Sequence, residues 1–203
     1  VFPNHGDHDF AKVELDPVSV AWAKRNLGTV GDPLLRQQVW ASLWEMTRDR
    51  ALSSLDYLEL VRSNLPSEAS LPIVQMVTAT ASAAIARYVP ADLIDGEAAA
   101  FVRSARVAIE EADGDLKVLW ARALIGAAAG PDVHPVAAAL VDERPVGLTV
   151  DQEMRWSVAV AASALGLETA EARLADERER DPSDRGDRAM ARAEAARPDA
   201  AVK

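Results

Sequence analysis

The chain has 203 residues, a mass of 21.8 kDa and no cysteine. Its length suits one domain, or a little more, at about 150 residues per domain, with enough chain to bury a core unaided. The missing thiols exclude disulfide frameworks, iron–sulfur clusters, cysteine-ligated zinc and cysteine nucleophiles, and they fit a reducing, cytoplasmic setting. With 22 Lys plus Arg against 32 Asp plus Glu the formal net charge is −10. That field repels a phosphate backbone, so no nucleic-acid partner is expected.

Forty residues are alanine and only 5% are aromatic. Alanine is the strongest helix former and β-branched runs are scarce, so the expected fold is all-α with small residues between close-packed helices. No apolar stretch reaches the ~18 residues of a membrane span. The start, Val1-Phe2-Pro3-Asn4-His5, has neither an initiator methionine nor a signal-peptide pattern, so the chain reads as cut from something longer.

Residues 1–15 read as an extended leader, either a strand whose sheet lies in a missing N-terminal part or a frayed segment. Asn4-His5-Gly6-Asp7 is turn chemistry, and Phe10 to Leu15 alternates apolar and polar like one short strand. Residues 16–203 read as a helical repeat domain. Asp16-Pro17 and Asp32-Pro33 each set a capping side chain before a proline at the first helical position. The second helix, 33–48, carries apolar groups on two faces, Leu35, Val39 and Met46 on one and Trp40, Leu43 and Trp44 on the other, and so is buried from two sides. Further helices are expected from Ser53 to before Pro66, over 72–88, 91–113 and 115–130, and in a short seventh capped by Asp132. Thr149-Val150-Asp151-Gln152 reads as a capping box for the eighth, which stops at Gly166. A ninth begins at Thr169, a tenth follows Asp181-Pro182-Ser183-Asp184, and 198–203 open an eleventh. Ten starts at roughly 18-residue spacing give about 37 residues per helix pair, between tetratricopeptide and HEAT or armadillo repeats. An irregular α-solenoid of about ten helices is the favoured architecture, with a compact orthogonal bundle as its competitor.

Few residues promise chemistry. His5 and His8 flank Gly6-Asp7 and could hold a metal, but they sit in a leader and read as turn residues. His134, in a first helical turn, reads as a surface or capping residue. No His-Glu-x-x-His, Gly-x-Ser-x-Gly or Gly-rich phosphate loop occurs. Gly126 to Gly130 reads as a close helix contact, and Trp40 with Trp44 as core rather than a ligand groove. The mixed charges from Glu168 to Arg197 read as a solvated outer face. Arg155 stands apart: it lies beside Trp156 in the first turn of an apolar helix, and either pairs with Asp151 at i, i+4 or faces a substrate cavity.

Several stretches resemble a known family in the right order. Pro3-Asn4 followed by Asp9 to Asp16 resembles the junction after the β-sandwich domain of bacterial aminopeptidase N, a zinc aminopeptidase of the gluzincin class. Trp44-Glu45-Met46-Thr47-Arg48-Asp49, Met154-Arg155-Trp156 and Asp181-Pro182-Ser183-Asp184-Arg185-Gly186 resemble landmarks of its C-terminal helical domain. The resemblance implies a catalytic domain upstream that carries the zinc, the His-Glu-x-x-His helix, a Gly-x-Met-Glu-Asn loop and a catalytic tyrosine, none of them in this chain. It implies no catalytic, cofactor or metal residue here, a helical domain that caps the catalytic and β-sandwich domains and walls a peptide chamber, and Arg155 as the one candidate chamber residue. It also implies that the chain stops inside its domain. The alternative is a free-standing helical-repeat scaffold for another protein.

Overall fold

The computed structural model describes residues 2–9, 11–127 and 130–199. Ten α-helices follow one another: α1 (Pro17–Asn26), α2 (Pro33–Arg48), α3 (Ser54–Asn64), α4 (Leu71–Arg87), α5 (Ile94–Glu111), α6 (Gly114–Gly126), α7 (His134–Asp142), α8 (Gln152–Ala164), α9 (Ala170–Arg180) and α10 (Asp184–Ala196). A single 3-10 turn, Leu27–Thr29, separates α1 from α2, and no strand occurs among the described residues.

Half of the helix starts follow local capping chemistry. Asp16 accepts from the N–H groups of Val18 and Ser19, Asp32 from Leu34, Ser53 from Asp56, and Ser183 from Arg185. Each satisfies a donor that the helix itself leaves orphaned. Two expected caps move. The cap of α8 is Asp151, whose carboxylate accepts from Met154 N–H, two residues beyond Thr149. The cap position of α7 is Val133, with no side-chain bond from Asp132. In both cases the cap position falls one or two residues beyond the capping residue that the sequence marks first.

The even-numbered helices form a continuous row: α2 packs on α4, α4 on α6, α6 on α8 and α8 on α10. The odd-numbered helices meet α1 to α3 and α3 to α5, and α7 and α9 are joined by the Arg173–Asp142 ion pair. Neighbours in sequence fill the remaining contacts, most densely α5 with α6.

Two hydrophobic cores result. The larger runs from Ala23 to Val158 and centres on Trp40, Tyr57, Phe101 and Trp120. Trp40 is 2% exposed and meets Tyr57 edge-on, with ring centroids 6.2 Å apart. Trp44 is half-buried between Tyr57 and Tyr88, so the pair packs as core and not as a groove lining. The smaller core holds Trp156, Ala159, Leu174, Ala189 and Ala193. Helix α8 belongs to both, presenting Met154 and Val158 to the first and Trp156 and Ala159 to the second.

Residues 11–15 of the leader are not a strand, since no second strand offers hydrogen bonds; Phe10 lies outside the described residues. The leader instead lies along α2. Lys12 pairs with Asp49, Leu15 N–H meets the Met46 sulfur at 3.3 Å, and the Gln38 side chain donates to the Asn4 carbonyl at 2.7 Å. Ala128 and Ala129, inside the expected small-residue contact, and the core of the expected eleventh helix at 200–203 lie outside the described residues.

Candidate functional site

The first candidate centre is built around Arg155. Asp151 and Arg155 stand one turn apart on α8, yet they do not pair. The Asp151 carboxylate caps α8 and takes a 2.5 Å hydrogen bond from Arg122 of α6. Burial pushes the Asp151 carboxyl up, but the Met154 N–H and Arg122 outweigh it and leave it below the ordinary carboxylate range. Arg155 reaches across to α9 instead, where its Nε donates to Glu177 Oε2 at 2.9 Å. Glu177 also accepts from Arg180 at 2.6 Å, and its side chain is 6% exposed against 21% for Arg155. The i, i+4 pairing expected from the sequence is therefore replaced by a contact 22 residues away.

The surrounding residues extend this joint. Trp156 Nε1–H donates to Asp181 Oδ2 at 3.0 Å, and the Ser183 hydroxyl donates to Asp181 Oδ1 at 2.5 Å. Those hydrogen bonds, Ser183 first, hold the Asp181 carboxyl below its usual range despite the opposing effect of burial. A Cβ on Gly186 would fall inside the Asp181 carbonyl oxygen, so α10 can approach the α9–α10 turn only as glycine. The stretch 181–186 thus locks α9 and α10 onto α8. The expected solvated face over 168–197 is corrected at Leu174, Glu177 and Asp181, all buried; long-range packing brings them inward although their neighbours in sequence are charged.

The histidines do not converge. His5 is exposed and stands 3.7 Å from Asp32, and the His8 ring folds over Gly6 in the leader turn. His134 is not a surface residue: it is 3% exposed, with Nε2 at 3.3 Å from the Val158 carbonyl of α8. No group of three or more His, Asp or Glu side chains able to hold a metal forms among the described residues.

The second candidate is a groove of about 520 Å³ between α4 and α6. On α4 the buried stripe is Ile73, Val77, Ala81 and Ala84, while Leu71, Gln75, Ala79 and Ser82, one turn apart, face the groove. On α6 the core takes Trp120, Ala121, Leu124 and Ile125, leaving Asp115, Leu119, Arg122 and Gly126 on the opposite wall. The hydroxyls of Thr78 and Ser82 turn back to carbonyls of their own helix, so the chemistry available in the groove comes from Gln75, Asp115 and Arg122. Nothing in the sequence pattern marked this groove, because its lining reads as the ordinary polar side of two amphipathic helices.

A family model described as the ERAP1-like C-terminal domain matches residues 1–203. The chain belongs to that family. It is also 35% identical over 204 residues to an aminopeptidase N of Streptomyces lividans, a match that covers 98% of this chain and 24% of that protein. The chain therefore spans about a quarter of the length of this relative. Three of the four stretches that resemble aminopeptidase N have structural roles at helix ends. Trp44 to Asp49 closes α2, Met154 to Trp156 opens α8, and 181–186 forms the turn that fastens α10.

Proposed function

We propose that the chain is the non-catalytic C-terminal helical domain of a zinc aminopeptidase, closing over a catalytic domain and forming part of the wall of the chamber that peptides enter. The observation that carries this reading is the match of the whole chain to a C-terminal domain family, joined to its identity with a quarter of an aminopeptidase N. When bound in the parent, the zinc would polarise the scissile carbonyl and activate water. The residues of this chain would give shape, charge and enclosure.

The geometry suits that task. Helices fastened by ion pairs between segments far apart in the chain offer a stiff surface rather than a mobile loop. Arg36 to Glu68, Arg62 to Glu97 and Arg155 to Glu177 each join two different segments. At the other end, Val18 and Trp22 of α1 stand exposed beside Phe2, Leu15 and Leu35, and Trp22 is 48% exposed. This apolar surface, next to the leader, is where the preceding domains of the parent would pack. Arg155 would face the chamber with the 21% of its side chain that stays exposed at the α8–α9 joint.

The test uses the full-length protein that contains this chain. It should release N-terminal residues from short peptides and lose that activity to a zinc chelator. Removal of residues 16–203 should relax the limit on peptide size while hydrolysis of a small aminoacyl chromogenic substrate persists. A full-length protein without aminopeptidase activity after zinc loading would overturn the reading.

A further inference from the structure

The α4–α6 groove holds charges in two different states. Arg122 is already neutralised by Asp151 at 2.5 Å. Asp115, in the first turn of α6 on the same wall, is exposed and makes no hydrogen bond or ion pair among the described residues. The side-chain amide of Gln75 on the facing wall is likewise exposed and makes no hydrogen bond among the described residues. The groove thus presents one uncompensated carboxylate, one free amide, and apolar walls from Leu71, Val118 and Leu119. Its one cation is occupied.

We infer that this groove takes the side chain of a lysine or arginine from the peptide, on the carboxyl-terminal side of the scissile bond, with Asp115 as counter-ion and Gln75 as hydrogen-bond partner. The inference rests on the reading of the chain as a chamber wall. An apolar-walled groove ending in a carboxylate matches a side chain that is an alkyl stem with a charged head. The stem lies on Leu71, Val118 and Leu119, and the ammonium or guanidinium reaches Asp115. A peptide carboxylate or acidic side chain is disfavoured there, because Asp115 repels it and Arg122 is spent on Asp151. The net charge of −10 acts in the same direction at longer range, drawing cationic peptides toward the surface.

The expected size follows from the exposure of Asp115. An ion pair at an accessible site changes affinity by about 2- to 5-fold, and less as salt rises. The binding probe is a fluorescently labelled, N-acetylated decapeptide, which cannot be trimmed, with lysine or glutamine placed at successive interior positions. Anisotropy titrations on the full-length protein should show tighter binding of the lysine form, by about 2- to 5-fold at one position or two adjacent ones. Asp115→Asn should abolish that preference and leave the glutamine form unchanged. Gln75→Lys, which puts a cation opposite Asp115, should abolish it as well. Both positions are exposed, so each variant should keep the parent's melting temperature. Equal affinity for the two peptides, or a lysine preference that survives Asp115→Asn, would overturn the inference. Hydrolysis of an aminoacyl chromogenic substrate is followed in parallel. Its absence, with the Asp115-dependent preference intact, would sink the aminopeptidase reading and leave the groove assignment standing.

Discussion

Replacing Arg155 separates a helix–helix fastening from a free charge in a cavity. In the structure the Arg155 side chain is 21% exposed and its Glu177 partner 6%. Removing one member of a buried pair costs about 3–5 kcal/mol, because the other charge is left without its partner in a poorly solvated place. Two features lower that figure for Arg155→Met. Arg180 still donates to Glu177, and Arg155 keeps some contact with water. The expected loss is therefore about 2–3 kcal/mol. Glu177→Leu should cost somewhat more, about 3–4 kcal/mol, since Arg155 then retains only a 3.5 Å contact with the Val150 carbonyl. The double variant should recover most of the loss, as packed apolar groups replace both charges. Urea unfolding measures this directly: with a slope of about 2 kcal/mol/M, a 2 kcal/mol loss moves the midpoint by about 1 M. A neutral Arg155→Met, or single losses that simply add in the double variant, would refute the pairing and return Arg155 to the cavity. In that event the full-length enzyme should lose affinity for free-acid peptides and not for amidated ones. If pairing is the whole role, both peptides respond alike.

Trp40→Ala should destabilise by about 3–5 kcal/mol, because a large ring that is 2% exposed leaves a cavity between α2 and α3; an unchanged denaturation midpoint would show that the ring is not core. Gly186→Ala should lower the melting temperature, at a cost of about 1–3 kcal/mol or more, by forcing α10 away from the Asp181 carbonyl; the measure is calorimetry, and a neutral result would contradict the close approach. Stability should hold at neutral pH and fall as the pH drops through about 4 and below. Burial pushes Glu68 up, but Arg36 and the Ser70 N–H outweigh it, so this carboxyl, like those of Asp142, Asp151 and Asp181, ionises more readily folded than unfolded. The folded state then binds fewer protons, and the stabilisation present above the ordinary carboxylate range is lost on acidification. A melting temperature level down to pH ~3 would contradict this.

What the sequence disclosed was local. Asp16, Asp32, Ser53 and Ser183 act on N–H groups two or three residues away, so the helix starts they mark could be read without knowledge of the fold. The two-sided burial of α2 was legible for the same reason, from Val39 and Met46 against Trp40 and Leu43. What it hid was the choice among partners far along the chain. Asp151 could have served Arg155 one turn away, and serves Arg122 instead. Glu177 sits in a run of charges that reads as solvated, yet two arginines hold it in the interior. His134 has no distinguishing neighbour in sequence, and only the approach of α8 buries it. The α4–α6 groove belongs to the same class, since it exists only where two polar helix faces come together.

The most direct test of the account places the 203-residue chain beside the full-length protein that contains it. Both are loaded with zinc, dialysed, analysed for bound metal and assayed on an aminoacyl chromogenic substrate. The account predicts about one zinc and chelator-sensitive hydrolysis in the full-length protein, and neither stoichiometric zinc nor hydrolysis in the chain alone. Zinc-dependent hydrolysis by the chain alone, or none by the full-length protein, would contradict it.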